Sequence, residues 1–304
     1  MTMRISRRQF AGLAGSGLAV ASIAGCSRKD PDPVAAPAEP AIAPPLDPTV
    51  VRVASVPTAV EGNVLPALIT LFEQHSKFRV KLTTSPELYD GARSGAYDVV
   101  ISHYGHRDAE AFVLDGLGEW PRTLFSNQMA LIGPPGDPAR IRGLTDAGEA
   151  FHRIATSKSP YVLNEIDGVR YLTEILWHAA GAPDRTGWFV EAKGSKDGAI
   201  KHASEIGAYT LWGLTPFLRV TGYASVNLEP LVLADPLLQR MMVSIIVKPG
   251  GGRRTNTEGA AALQSFLLEP ATQAAIRTIH YPGKDIVSWV PAGRHNRTAM
   301  LPKT

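Results

Sequence analysis

Two short groups of residues in this chain could do chemistry. The run Ser55-Val56-Pro57-Thr58, followed by Glu61-Gly62-Asn63, places two hydroxyls, a carboxylate and a glycine-bearing turn just after an apolar strand pattern. His103-Tyr104-Gly105-His106, with Asp108 two residues on, sets two imidazoles three residues apart behind the run Asp98–Ser102. The first group suits capture of a small anion. A loop feeding a helix start offers unpaired N–H groups at a positive dipole end. The second group could hold a metal through two His and an Asp. A structural or cleft-lining histidine is the preferred reading of His103, so no metal is assigned. Catalysis has little support. There is no Gly-x-Ser-x-Gly elbow and no cysteine in the body, and the scattered Ser, His and Asp name no reaction.

The elements that must position the first group are legible from periodicity. Val51, Val53 and Ser55 alternate with Arg52 and Ala54, which predicts a strand. Pro57 and Gly62 predict a loop over 56–63. Val64, Leu65, Leu68, Ile69, Leu71 and Phe72 recur at helical spacing, with Asn63 as N-cap and Pro66 in the first turn. A second strand over 78–84, a short helix over 88–94 and the near-continuous apolar strand Asp98–Ser102 complete a βαβαβ order. That order predicts a doubly wound α/β sheet with its crevice at the strand carboxyl ends.

Further helices are predicted over 108–115, 143–156, 169–180, 198–205, 257–268 and 270–279. Strands are predicted around 129–132, 161–163, 188–191, 208–211, 231–233 and 242–247. Two α/β halves imply two lobes, with the chain crossing near Asn127 and returning near Met241. The expected partition is 49–126 plus 241–293 for one lobe and 127–240 for the other, with a flexible tail at 294–304.

The N-terminus reads as an address. Arg4, Arg7 and Arg8 precede the mildly apolar run Ala11–Ala24, which is too short to span a bilayer. Ser6-Arg7-Arg8-Gln9-Phe10 looks like a twin-arginine export motif, and Ile23-Ala24-Gly25-Cys26 resembles a bacterial lipobox. Residues 1–25 are read as a lipoprotein signal. Cys26 is the only cysteine, so no intramolecular disulfide can form, and a lipid on its sulfur explains its place. Residues 26–48, rich in Pro and Ala, form a tether. This places the protein in the periplasm or cell envelope, membrane-anchored through Cys26. The net charge of +3 gathers largely in the signal and tail, which argues against a nucleic-acid partner.

The body resembles the periplasmic tungstate-binding proteins of ABC importers, within the molybdate/tungstate-like type II periplasmic binding proteins. The resemblance is carried by VRVAS at 51–55, VLPALITLFE at 64–73 and YDVVISHYGH at 97–106. It continues through MALIGPPGDPARIRGL at 129–144, ILWHAAG at 175–181 and EIGAYTL at 205–211. LADP at 233–236 and AALQSFLLEPATQAAI at 261–276 complete it. It implies a two-lobed fold with a hinge, doubly wound sheets, a tungstate or molybdate ligand, no cofactor, and ABC permease and ATPase partners for a monomeric binder. It places ligand contacts at Ser55, Thr58, Glu61, Gly62, Asn63, His103, Asn164, Asp167, Gly168 and Tyr209.

The chain departs from the family's pattern at three places. Val56 and Pro57 replace hydroxyl donors. Asn164-Glu165-Ile166-Asp167-Gly168 lacks the family's Arg and its hydroxyls, and Trp212-Gly213-Leu214-Thr215 replaces a polar continuation. Arg170 could substitute, though a solvated helix face suits it better. Asp167 is expected to cap the following helix, and Trp212 and Tyr104 to line an enlarged pocket or pack in the core. A diverged binder or sensor of another small molecule, and a metal-dependent enzyme at His103/His106, stand as alternatives.

Overall fold

The computed structural model describes residues 46–191 and 194–292. The expected signal, Cys26, most of the tether and the tail lie outside these residues. Among them runs a ten-stranded mixed sheet with the order β2-β1-β3-β9-β4-β7-β5-β6, while β8 and β10 pair with β4.

The first part is the anticipated βαβαβ. Strand β1 (Val50–Ser55) leads into a five-residue helix α1 (Pro57–Glu61) and then α2 (Val64–His75). Next come β2 (Arg79–Thr84), α3 (Leu88–Arg93), β3 (Val99–His103) and α4 (Arg107–Leu114). β1 pairs parallel with both β2 and β3. One core packs Val51, Val53, Leu68 and Phe72 on one face of the sheet, and another packs Ala54, Val100 and Phe112 on the opposite face. Ala54 is therefore buried as fully as its neighbours, because a parallel sheet is covered on both sides. Asp98 locks this region. It is fully buried and accepts from Arg52 Nε (3.1 Å) and Nη2 (2.6 Å), and from the Asn256 N–H (2.8 Å).

Strand β4 (Arg122–Gly133) joins the two parts of the sheet. Its residues 122–128 pair antiparallel with β9, and Met129–Ile132 pair antiparallel with β7. The second part contains α5 (Ala147–Thr156), β5 (Tyr161–Val162), α6 (Asp167–Ala179) and β6 (Phe189–Val190). It continues with α7 (Asp197–Ile206), β7 (Tyr209–Gly213), α8 (Leu214–Val220) and β8 (Glu229–Val232). Its core gathers Leu131, Phe151, Tyr161, Trp188 and Leu211. Strand β9 (Gln239–Ile246) then re-enters the first part beside β3. Helices α9 (Thr257–Leu268) and α10 (Pro270–Ala275) and strand β10 (Trp289–Pro291) close the described chain.

Several elements differ from expectation for identifiable reasons. Residues 57–61 form α1 rather than a loop, because Pro57 sits at N1, where its fixed φ and missing N–H cost nothing. α5 starts at Ala147, not Gly143. Gly143 has φ of +77°, and Asp146 caps the helix by accepting the Glu149 N–H at 2.9 Å. The helix predicted over 270–279 tightens into a 3₁₀ turn after Ala275. β4 and β9 both begin earlier than predicted. Their leading residues are polar, but Ser126 and Asn127 are buried inside the sheet.

Candidate functional site

A cavity of about 230 Å³ opens where the two parts of the sheet meet. Thr58 and Glu61 of α1 and His103 at the end of β3 line one side. Asn127 and Met129 of β4, with Arg240 of β9, form the floor. Ile166 and Val169 flank the start of α6, and Lys196, Trp212, Gly213 and Arg219 complete the wall. Three cations thus face one carboxylate.

The hydrogen bonding of these groups is unfinished. His103 Nε2, Asn127 Oδ1 and Arg219 Nε are buried with no partner, and all three belong to residues of this cavity. A buried polar atom without a partner costs on the order of 1–3 kcal/mol. Three at one cavity mark it as built to receive something polar. Burial, with the nearby charges of Arg240 and His106, pushes the His103 imidazole down to about 3. His103 is therefore neutral at pH 7. Burial also lowers the Arg240 pKa, and its guanidinium has neither hydrogen bond nor ion pair among the described residues. Arg219 sits between two carboxylates, 3.5 Å from Glu61 and 3.5 Å from Asp197, which also accepts from the Tyr223 hydroxyl.

The residues expected from sequence divide. Thr58, Glu61 and His103 line the cavity. The Thr58 hydroxyl has no partner among the described residues, so it is available to a ligand. Ser55 is fully buried, and its hydroxyl donates to the Val56 carbonyl at 3.2 Å, so it turns away from the cavity. Gly62 packs under Trp289, whose indole N–H donates to the Gly62 carbonyl at 3.0 Å. Asn63 occupies the N-cap position of α2 with φ of +64°, but its side chain caps nothing. It serves as the left-handed corner between two helices, a conformation asparagine tolerates.

Asn164 does not reach the cavity itself. Its Oδ1 accepts the Lys196 N–H at 2.8 Å, which holds Lys196 at φ of +56°. It positions a lining residue. Asp167 lies in the first turn of α6 rather than capping it; the cap residue is Ile166. The N–H groups of Val169 and Arg170 both reach the Ile166 carbonyl at 2.8 Å. Those of Asp167 and Gly168 have no acceptor among the described residues.

Tyr209 is the clearest correction. It starts β7 at the end remote from Gly213. It is fully buried, and its hydroxyl donates to Asp137 (2.7 Å) and accepts from the Ala139 N–H (2.9 Å). Burial and the Asp137 carboxylate push its pKa up. It braces the core and is not among the residues that line the cavity.

His103 and His106 face different cavities. His106 lines a surface cavity with Tyr104 and Trp120, and its ring accepts the Asp108 N–H at 3.3 Å. No group of three or more His, Cys, Asp or Glu side chains converges on a metal position among the described residues. Trp212 does line this first cavity, whereas Tyr104 does not. Arg170 is exposed on α6, outside the cavity. Sequence reasoning missed Asn127, Lys196, Arg219 and Arg240. None of these carried a local signal: Asn127 stands between Ser126 and Gln128 in a polar stretch, and Arg240 precedes the apolar run at 242–247 as an ordinary strand-edge arginine would.

The model of the bacterial extracellular solute-binding proteins matches residues 52–281. The chain belongs to this family. A protein of Haloferax volcanii named as an ABC transporter anion-binding protein is 28% identical over 229 residues, covering 73% of this chain and 67% of that one. The tungstate-binding protein TupA of Peptoclostridium acidaminophilum is 25% identical over 222 residues, covering 71% of this chain and 76% of that one. The solved tungstate-binding protein TupA from Desulfovibrio alaskensis G20 superposes with a TM-score of 0.67 at 22% identity, over 80% of this chain and 98% of that one. The fold is that of the two-lobed type II periplasmic binding proteins. In a solute-binding protein, a cation-rich cavity with unpartnered polar atoms at the meeting of two sheet halves is a place to hold a ligand.

Proposed function

We propose that this chain is the extracytoplasmic binding component of an ABC importer and captures a small oxoanion, tungstate or molybdate. The observation that carries this reading is the charge of the cavity. Lys196, Arg219 and Arg240 face only Glu61, the Thr58 hydroxyl adds a donor, and Ile166 and Val169 bracket the start of α6. An oxoanion that carries no proton needs donors without acceptors, and helix starts and guanidinium groups supply them. The named ligands of the TupA relatives support the same class. The lobes are 49–126 plus 241–293 and 127–240, closing on the anion as a monomer. The bound form is handed to permease and ATPase subunits, and no catalytic step is assigned. Export by the twin-arginine route and lipidation of Cys26 anchor the protein to the membrane.

Calorimetry of the purified protein with tungstate, molybdate and sulfate tests the ligand class. Tight binding of tungstate or molybdate is expected; no heat with any of the three contradicts the reading. That outcome favours a second one, a small organic anion. The apolar wall of Met129, Ile166, Val169 and Trp212 suits it better than a bare oxoanion. The anchor has its own test. Cys26→Ser is expected to release the protein from membranes, and retention of that variant sinks the lipidation.

A further inference from the structure

We propose that Arg240 is the charge anchor of the bound anion and holds it against the first turn of α6, between its guanidinium and the N–H groups of Asp167 and Gly168. This deepens the oxoanion reading and rests on it. It assigns the anchoring role to a residue of the crossover strand β9, where the sequence shows no motif.

The geometry brings two positive groups face to face. A Cβ built on Gly168 would lie 3.6 Å from Arg240 Nη2 and 3.7 Å from its Cζ, so the guanidinium rests on the opening of α6. That helix runs for thirteen residues, and the positive end of its dipole lies there. Two positive groups repel unless something negative sits between them. No carboxylate does so: Arg240 has no ion pair among the described residues, and burial is the cause of its lowered pKa. A half-buried cation without a counter-ion is costly, and a bound anion removes the cost.

A second observation points to the same ligand. Asn127 is only 3% exposed, lines the cavity, and has Oδ1 without a partner. Turned over, its amide presents N–H groups at that place. His103 Nε2, also unpartnered, lines the same cavity. The charge count further sets the ligand class. Arg219 is offset by Glu61 and Asp197, which leaves Arg240 and Lys196 uncompensated. Three cations thus stand against two carboxylates, an excess of positive charge that favours an anion over a neutral ligand.

The test uses wild type, Arg240→Gln and Gly168→Glu, titrated calorimetrically with tungstate, sulfate, succinate and perchlorate. Arg240→Gln is expected to lose about 100-fold in anion affinity, since it truncates one side of a desolvated charge pair. Gly168→Glu places a carboxylate against the guanidinium while adding an acidic residue to a helix first turn. It should fold with unchanged or higher thermal stability and lose a similar factor. That combination separates anchoring from a structural role, and it decides the matter if Arg240→Gln does not fold. Either variant, folded and binding within about threefold of wild type, overturns the proposal. A wild type silent with tungstate and sulfate but binding succinate through Arg240 removes the oxoanion reading and keeps the anchor. A wild type that binds none of the four overturns both.

Discussion

The loop after β1 and the first residues of β9 make an instructive contrast. Ser55–Asn63 carries the recognisable pattern, two hydroxyls and a glycine turn at the crevice edge. The structure spends most of it on scaffolding: Ser55 bonds back to Val56, Gly62 lies under Trp289, and Asn63 turns a corner. Only Pro57, Thr58 and Glu61 face the cavity, and Glu61 is occupied by Arg219. Gln239–Met242 has no pattern at all, yet β9 pairing with β3 and β4 delivers Arg240 to the floor beside His103 and Asn127. Local motifs in this chain specify backbone, whereas the ligand's charge partner arrives by long-range strand register.

That contrast can be broken at either region. The largest effect is expected on the acid side, from His103 beside Arg240. Its folded pKa of about 3 lies below the ordinary 6.5. Between those values the unfolded chain takes up a proton that the folded chain refuses, so stability falls as pH drops through the window. His103→Gln should remove on the order of 2 kcal/mol of the loss between pH 6.5 and 4, read from urea unfolding across pH. Identical slopes in the two proteins would mean that His103 is not held buried in the folded chain.

Next is Gly62→Ala. The added Cβ would sit 2.5 Å from Trp289 Nε1, so the variant should lose about 2 kcal/mol of stability by overpacking. Urea unfolding measures it, and an unchanged midpoint would free Gly62 for a ligand role. Third, Thr58→Val should weaken oxoanion binding about tenfold, and Ser55→Ala by no more than about twofold. A reversed order in calorimetry would restore Ser55 to the site and remove Thr58. The smallest is Tyr209→Phe. It breaks the bonds to Asp137 and Ala139 and should cost about 1 kcal/mol of stability with affinity unchanged. A drop in affinity instead would put the far end of β7 back in the cavity.

Much of the fold was legible because its signals are local. The alternation of β1, the buried run of β3 and the helical spacing of α2 each report burial by periodicity. The start of α9 follows from Asn256, whose side chain accepts the Gly259 N–H at 2.9 Å. The site was less legible. Resemblance pointed to the crevice edge but could not tell which hydroxyls turn inward, since that depends on a short helix begun by Pro57. Tyr209 reads as polar and near the cleft only until Asp137, seventy-two positions away, supplies its partner. Arg219 and Arg240 come from elements whose sequence looks like ordinary packing. Nothing local distinguishes an arginine facing solvent from one lying on a helix start.

The most direct test is where the anion sits. A crystal of the protein grown with tungstate should give one strong tungsten anomalous peak in the cavity, within hydrogen-bonding reach of Arg240, the first N–H groups of α6 and the Thr58 hydroxyl. A peak at Ser55 and Asn63 with Arg240 turned away, or no peak in the cavity at saturating tungstate, would contradict the account.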